Sequence, residues 1–170
     1  MADPVVVDTN VVATSNNVLD EVILPCAARC ANELLTVRND RRLVLDAEGE
    51  ILAEYRRNAS PSGQPGPGDA FLRWVLTNFA NPERCVVVTT TPHDDRGYEE
   101  FPDDSELESF DFDDRKFVAA AISSGPPRDV LLGLDTDWFP VREALARYGL
   151  RLKFVCPDEL EDALRRKGLA

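Results

Sequence analysis

The chain has 170 residues and a hydrophobic content of 44%, enough for one domain with a sizeable core. Its formal net charge of −12 argues against a general polyanion-binding surface. That balance does not exclude a nuclease, because carboxylates clustered around divalent cations act on phosphodiesters. No apolar run reaches bilayer length, so no membrane partner is expected. The start of the chain lacks a basic stretch followed by a long apolar one, so no signal peptide is read. The four cysteines, Cys26, Cys30, Cys85 and Cys156, are too few for a dense disulfide framework. They are expected to be reduced thiols in a cytoplasmic protein.

Pro4-Val5-Val6-Val7-Asp8 is the first apolar stretch of the chain. Three consecutive β-branched residues predict a short strand buried on both faces, as in a parallel sheet between helices. The strand ends at Asp8, whose carboxylate is costly to bury unpartnered. The bland alternative is that Asp8 starts a turn or caps a helix. A polar segment with Ser15, Asn16 and Asn17 leads to a helix over Leu24–Val37. Cys26, Cys30, Leu34 and Val37 form its apolar stripe. With no histidine beside them, the two thiols read as core residues and not as zinc ligands.

Arg42–Asp46 predicts a second strand that again ends in Asp, and Glu50–Asn58 a helix carrying Glu54, Arg56 and Arg57. The Pro/Gly-rich stretch 60–69 is a loop, and Asp69 is expected to cap a helix to about Phe79. Cys85–Val88 is the third strand. His93, the sole histidine, follows it. It gives little support to a His-rich metal site or a Ser-His-Asp triad. From Asp94 to Asp114 there are eleven acidic residues against one arginine, interleaved with Phe101, Phe110 and Phe112. This stretch supplies most of the excess charge and reads as a solvated loop pinned by its aromatics. A docking site for a basic partner, or a negative gate that discourages nonspecific nucleic acid, is the sharper alternative.

Asp113 and Asp114 open a helix with an Ala-rich face. Val130–Leu134 is the fourth strand, followed by Asp135-Thr136-Asp137-Trp138. A helix over Val141–Tyr148, a fifth strand over Arg151–Val155 and a helix over Pro157–Lys167 complete the chain. Alternating strands and helices predict an α/β fold with a mainly parallel central sheet of four to five strands, in one domain with 60–69 and 94–113 as insertions. Asp8, Asp114 and Asp135 stand at element ends, with Glu54 as a fourth acid. Like charges so placed call for a cation. Carboxylates without histidine suit Mg²⁺ or Mn²⁺. No Gly-rich phosphate loop or dinucleotide fingerprint is present.

Val5-Val6-Val7-Asp8-Thr9-Asn10-Val11 resembles the opening motif of PIN-domain ribonucleases. Phe110-Asp111-Phe112-Asp113-Asp114-Arg115-Lys116-Phe117 is similar to that family's third acidic motif, and Leu132-Gly133-Leu134-Asp135-Thr136-Asp137 to its fourth. Leu43–Asp46 through Ile51–Arg57 resembles the second motif of one subgroup. The resemblance implies a three-layer α/β/α sandwich and divalent-metal-dependent endonuclease activity on single-stranded RNA, leaving a 5′-phosphate and a 3′-hydroxyl. It implies Asp8, Glu54, Asp114 and Asp135 as the acidic constellation, with Asp137 as an auxiliary carboxylate. Thr9 and Asn10 would support Asp8. Asp46 is the alternative to Glu54, and Asp113 to Asp114. Arg56, Arg57, Arg115 and Lys116 are candidate phosphate contacts, with solvated surface charge as the alternative. The biological role would include that of a toxin in a toxin–antitoxin pair, with an antitoxin or other basic protein as partner and a homodimer as a compatible assembly. The reading from another class is a non-catalytic PIN-like module that grips a basic partner through its acidic loop.

Overall fold

The computed structural model describes residues 1–17 and 20–169; positions 18 and 19, within the segment after Asn10, lie outside the described residues. A five-stranded sheet forms the centre, built from β1 (Pro4–Val7), β2 (Arg42–Asp46), β3 (Cys85–Val88), β6 (Asp129–Leu132) and β7 (Arg151–Phe154). Its order is β3-β2-β1-β6-β7, and every pairing is parallel. Val5, Val6 and Val7 are fully buried in the central strand, as an unbroken β-branched run requires.

The crossovers position the site. From β1 the chain steps outward to β2 and then β3, through α1 (Thr9–Ser15), α2 (Leu24–Asp40), α3 (Glu50–Asn58) and α4 (Pro67–Asn78). It then returns across the sheet to β6 and steps outward again to β7, through α5 (Arg115–Ser124) and α6 (Arg142–Arg147). Right-handed crossovers in opposite directions place the two helix sets on opposite faces, which gives three layers. β1 and β6 are neighbours whose connections diverge. The carboxyl ends of such a pair bound a crevice, where open α/β sheets take their ligands. The last helix, α7 (Pro157–Arg166), follows β7. Among the described residues no helix is long and apolar enough to cross a membrane.

Three local features differ from the sequence expectations. The segment after Asp8 is helical: α1 begins at Thr9, although its Thr, Val and Ser residues have modest helix propensity. Burial of Val11 and Val12, with close packing on α2 and α4, overrides that preference. Helix α4 starts at Pro67, two residues before Asp69, whose carboxylate accepts the Gly66 and Ser60 amides at 2.8 and 2.6 Å. A small antiparallel pair, β4 (Pro92–His93) with β5 (Gly97–Tyr98), spans the start of the acidic stretch.

Gly68 marks the tightest helix crossing. A Cβ there would lie 2.2 Å from the Val12 carbonyl oxygen and 2.8 Å from Ser15 Oγ. The first is backbone and cannot rotate away, so α4 would have to lift from α1. Gly68→Ala is expected to cost about 1–3 kcal/mol, the range for overpacking. Urea denaturation reads this directly, and a stability equal to wild type would show that the crossing is looser than described.

Candidate metal centre

The aspartates of this chain divide by whether their carboxylates are already engaged. Asp46, the alternative to Glu54, accepts the amides of Glu50 and Ile51 at 2.8 and 2.9 Å and so holds the start of α3. Asp8 also stands at a helix start, but its side chain makes no capping hydrogen bond. It is 2% exposed, and its Oδ2 has no hydrogen-bond partner among the described residues. A buried carboxylate oxygen left open in this way is costly unless something else occupies it.

Asp8, Asp114 and Asp135 converge, each offering a carboxylate oxygen within 4.8 Å of the others. Three elements deliver them. Asp8 follows β1 and is locked to β6 by its amide donating to the Leu131 carbonyl at 3.0 Å. Asp135 follows β6 and starts a single 3-10 turn over Thr136–Trp138, accepting the Asp137 amide at 2.9 Å. Asp114 stands at the N-cap of α5. Gly133 permits the approach of β6 to α1, since a Cβ there would come within 3.1 Å of the Asn10 backbone.

A second group shares one member: Asp111, Asp114 and Asp137 also lie within 4.8 Å of one another. Packing of Phe110 edge-on against the buried Trp138, centroids 4.9 Å apart, brings Asp111 to Asp137. Asp111 was not singled out from the sequence. Its position two residues before Asp113 was the available signal, because Asp111 Oδ1 accepts the Asp113 amide at 2.9 Å. Asp113 itself points outward and is exposed, so Asp114 is the member that joins the cluster.

Electrostatics follow from this crowding. Burial, and then the charges of Asp114, Asp135 and Glu54, push the Asp8 carboxyl well above the usual range; the Asn10 amide opposes this. Burial and the charges of Asp135, Asp111 and Glu54 push Asp114 up to about 7, with Lys116 pulling the other way. Asp135 is raised chiefly by burial, opposed by the Asp137 amide and the Asn10 side chain. Asn10 therefore supports Asp135 as well as Asp8. Thr9 is buried, and its hydroxyl has no partner among the described residues.

These raised values fix a sign. A carboxyl that binds its proton more tightly folded than unfolded stabilises at low pH, and the contribution is lost as pH rises through the folded value. In EDTA the melting temperature is expected to fall as pH rises from about 4 through about 7. The slope should be shallower in Asp114→Asn. A slope unchanged by that substitution would place Asp114 outside the cluster.

Glu54 is in neither group of converging carboxylates, although its charge bears on both Asp8 and Asp114. It forms an ion pair with Lys116, whose Nζ also donates to the Asp113 carbonyl at 2.5 Å. Lys116 and Arg115, two of the candidate phosphate contacts, are buried. Every Arg115 donor contact is to a backbone carbonyl, those of Phe110, Arg96, Leu107 and Glu108. Arg56 and Arg57 are exposed in the last turn of α3. His93 accepts the Asp95 and Arg96 amides on Nδ1, each at 3.2 Å, and so shapes a turn.

The cysteines also depart from the expected four reduced thiols. Cys26 and Cys156 are joined in a disulfide, while Cys30 and Cys85 are free and buried.

No family model matches this chain, and no curated protein and no solved structure matches it.

Proposed function

We propose that the protein is a divalent-metal-dependent endoribonuclease of the PIN-like kind, acting on single-stranded RNA. The observation that carries this reading is the convergence of Asp8, Asp114 and Asp135 at the carboxyl ends of β1 and β6, with Asp8 Oδ2 unpartnered. Three mutually repelling carboxylates, one buried and two half-buried, fit a hard cation such as Mg²⁺ or Mn²⁺, and the all-oxygen donor set suits those ions. Asp8, Asp114 and Asp135 would hold the ion, and Asp137 with Asp111 would extend the site along the same edge. When bound, the ion supplies an activated water and offsets charge on the transferring phosphoryl group.

The remaining roles belong to the chain itself. Asn10 holds Asp8 through its backbone amide and Asp135 through its side chain, and Thr9 stands beside Asp8. Glu54 keeps Lys116 at the rim, so that one cation of the protein offsets the acids before any metal enters. Arg56 and Arg57 are free to meet phosphates beyond the rim. The acidic segment, facing solvent around the site, would select against nonspecific polyanions. A toxin role would use the same chemistry with a basic protein as its regulator.

The test is cleavage of an end-labelled single-stranded RNA with Mn²⁺ and with EDTA, alongside Mn²⁺ titration by calorimetry. Metal-dependent cleavage leaving 5′-phosphate ends, with saturable Mn²⁺ binding, is the expected result. Folded protein that neither binds Mn²⁺ nor cleaves RNA would favour the non-catalytic module that binds a basic partner.

A further inference from the structure

Cys26, Cys30 and Cys156 form a second chemical cluster, on elements separate from the three that present the carboxylates. Cys26 and Cys30 are one turn apart on α2, and Cys156 is the N-cap of α7. All three are fully buried. Cys26 and Cys156 form the disulfide, and the free Cys30 Sγ lies 3.9 Å from Cys156 Sγ. Consecutive turns of one helix therefore present two sulfurs to the same third sulfur.

We propose that Cys156 is a shared partner in two alternative crosslinks, Cys26–Cys156 and Cys30–Cys156, interchanged by intramolecular thiol–disulfide exchange. In the exchange Cys30 loses its proton and its thiolate attacks Cys156 Sγ. The Cys30–Cys156 bond forms as the Cys26–Cys156 bond breaks, and Cys26 leaves as a thiolate that takes up a proton. One disulfide and one thiol are present before and after, so no oxidant or reductant is consumed.

Both crosslinks tie the start of α7 to α2. This distinguishes the pair from a Cys26–Cys30 bond, which would close within one helix and leave α7 untied. At the far end of α7, Lys167 Nζ donates to Thr136 Oγ1 at 2.6 Å, between Asp135 and Asp137. Either crosslink thus preserves the anchor of a helix that abuts the acidic edge. Burial pushes the Cys30 thiol up to about 12, so it rests protonated and the exchange is slow near neutral pH. A neutral disulfide with a neutral thiol also suits these surroundings better than a metal held by three thiolates, which would bring net charge into the core.

The test is independent of nuclease activity. Full-length Cys26→Ser, Cys30→Ser and Cys156→Ser proteins are treated with oxidised glutathione, acid-quenched, alkylated and mapped by mass spectrometry without reduction. Cys26→Ser is expected to yield the Cys30–Cys156 peptide pair as its main crosslink. Cys30→Ser should keep Cys26–Cys156, and Cys156→Ser should lose both and melt lower than either. A folded Cys26→Ser protein in which Cys30 and Cys156 are both alkylated as thiols overturns the proposal. Should Cys26→Ser not fold, the wild-type protein held at pH 9 decides. A Cys30–Cys156 pair that grows with time supports the exchange, and its persistent absence rejects it.

Discussion

Asp8→Asn is expected to abolish RNA cleavage and, in the absence of metal, to make the protein more stable. The two effects share one cause. Asp8 is buried to 2% exposure with one carboxylate oxygen unpartnered, facing Asp114 and Asp135. As a ligand it contributes the central negative charge of the proposed site. Loss of outer partners of metal ligands already costs about 10–100-fold. Loss of this ligand should therefore lower cleavage by about 100-fold or more and weaken Mn²⁺ binding. Without metal, the same charge is a desolvated group repelled by its neighbours, and an amide of equal size could donate to them instead. A gain of about 1 kcal/mol in urea denaturation with EDTA follows from removing that penalty. Wild-type cleavage with unchanged products would reject the site. Lost cleavage with lowered stability would instead mark Asp8 as a structural residue.

Arg115→Met is expected to give the largest loss of stability. Arg115 is 5% exposed, and its guanidinium donates to four backbone carbonyls of the acidic segment. It also lies over the rings of Phe101 and Phe112, at 4.4 and 4.8 Å from their centroids. Methionine fills part of the space but leaves those carbonyls without donors, at about 1–3 kcal/mol for each one that stays buried. A total of about 3 kcal/mol or more is expected in urea denaturation. Hydrogen exchange should rise selectively across residues 94–113, while β1 and β6 stay protected. Because Asp111 and Asp114 flank this segment's end, Mn²⁺ affinity should fall as well. Arg115→Lys should rescue little, since one ammonium cannot serve four carbonyls spread around a planar fork. A stability within about 0.5 kcal/mol of wild type would mean that other contacts hold the segment, such as Tyr148 Oη donating to Asp104 at 2.9 Å.

The central strands and most helices were legible in the sequence, because β-branched runs and helical apolar spacing are local signals. The run Val5-Val6-Val7 could serve only a strand covered on both faces. Helix α1 was hidden because its residues favour other conformations and only packing on α2 and α4 makes it helical. The two-residue strands β4 and β5 are too short to show any period.

The site divides in the same way. Strand ends alone pointed to Asp8 and Asp135, and a helix start to Asp114, because in a parallel sheet those positions face one edge. Burial and hydrogen bonding decided everything else. They spent Asp46 on α3, turned Asp113 outward and brought Asp111 to Asp137. They buried Arg115 and Lys116 and paired Glu54 with Lys116. Cys26 and Cys156 are separated by 130 positions, and no spacing rule joins them.

By itself the sequence determined the alternation of strands and helices, and with it a parallel sheet whose carboxyl edge carries acids. The tertiary structure alone decided which carboxylates remain open for a cation and which cations and thiols are spent inside the fold. The reason is that periodicity and residue type act over one or two turns of chain, whereas desolvation and pairing depend on neighbours distant in sequence.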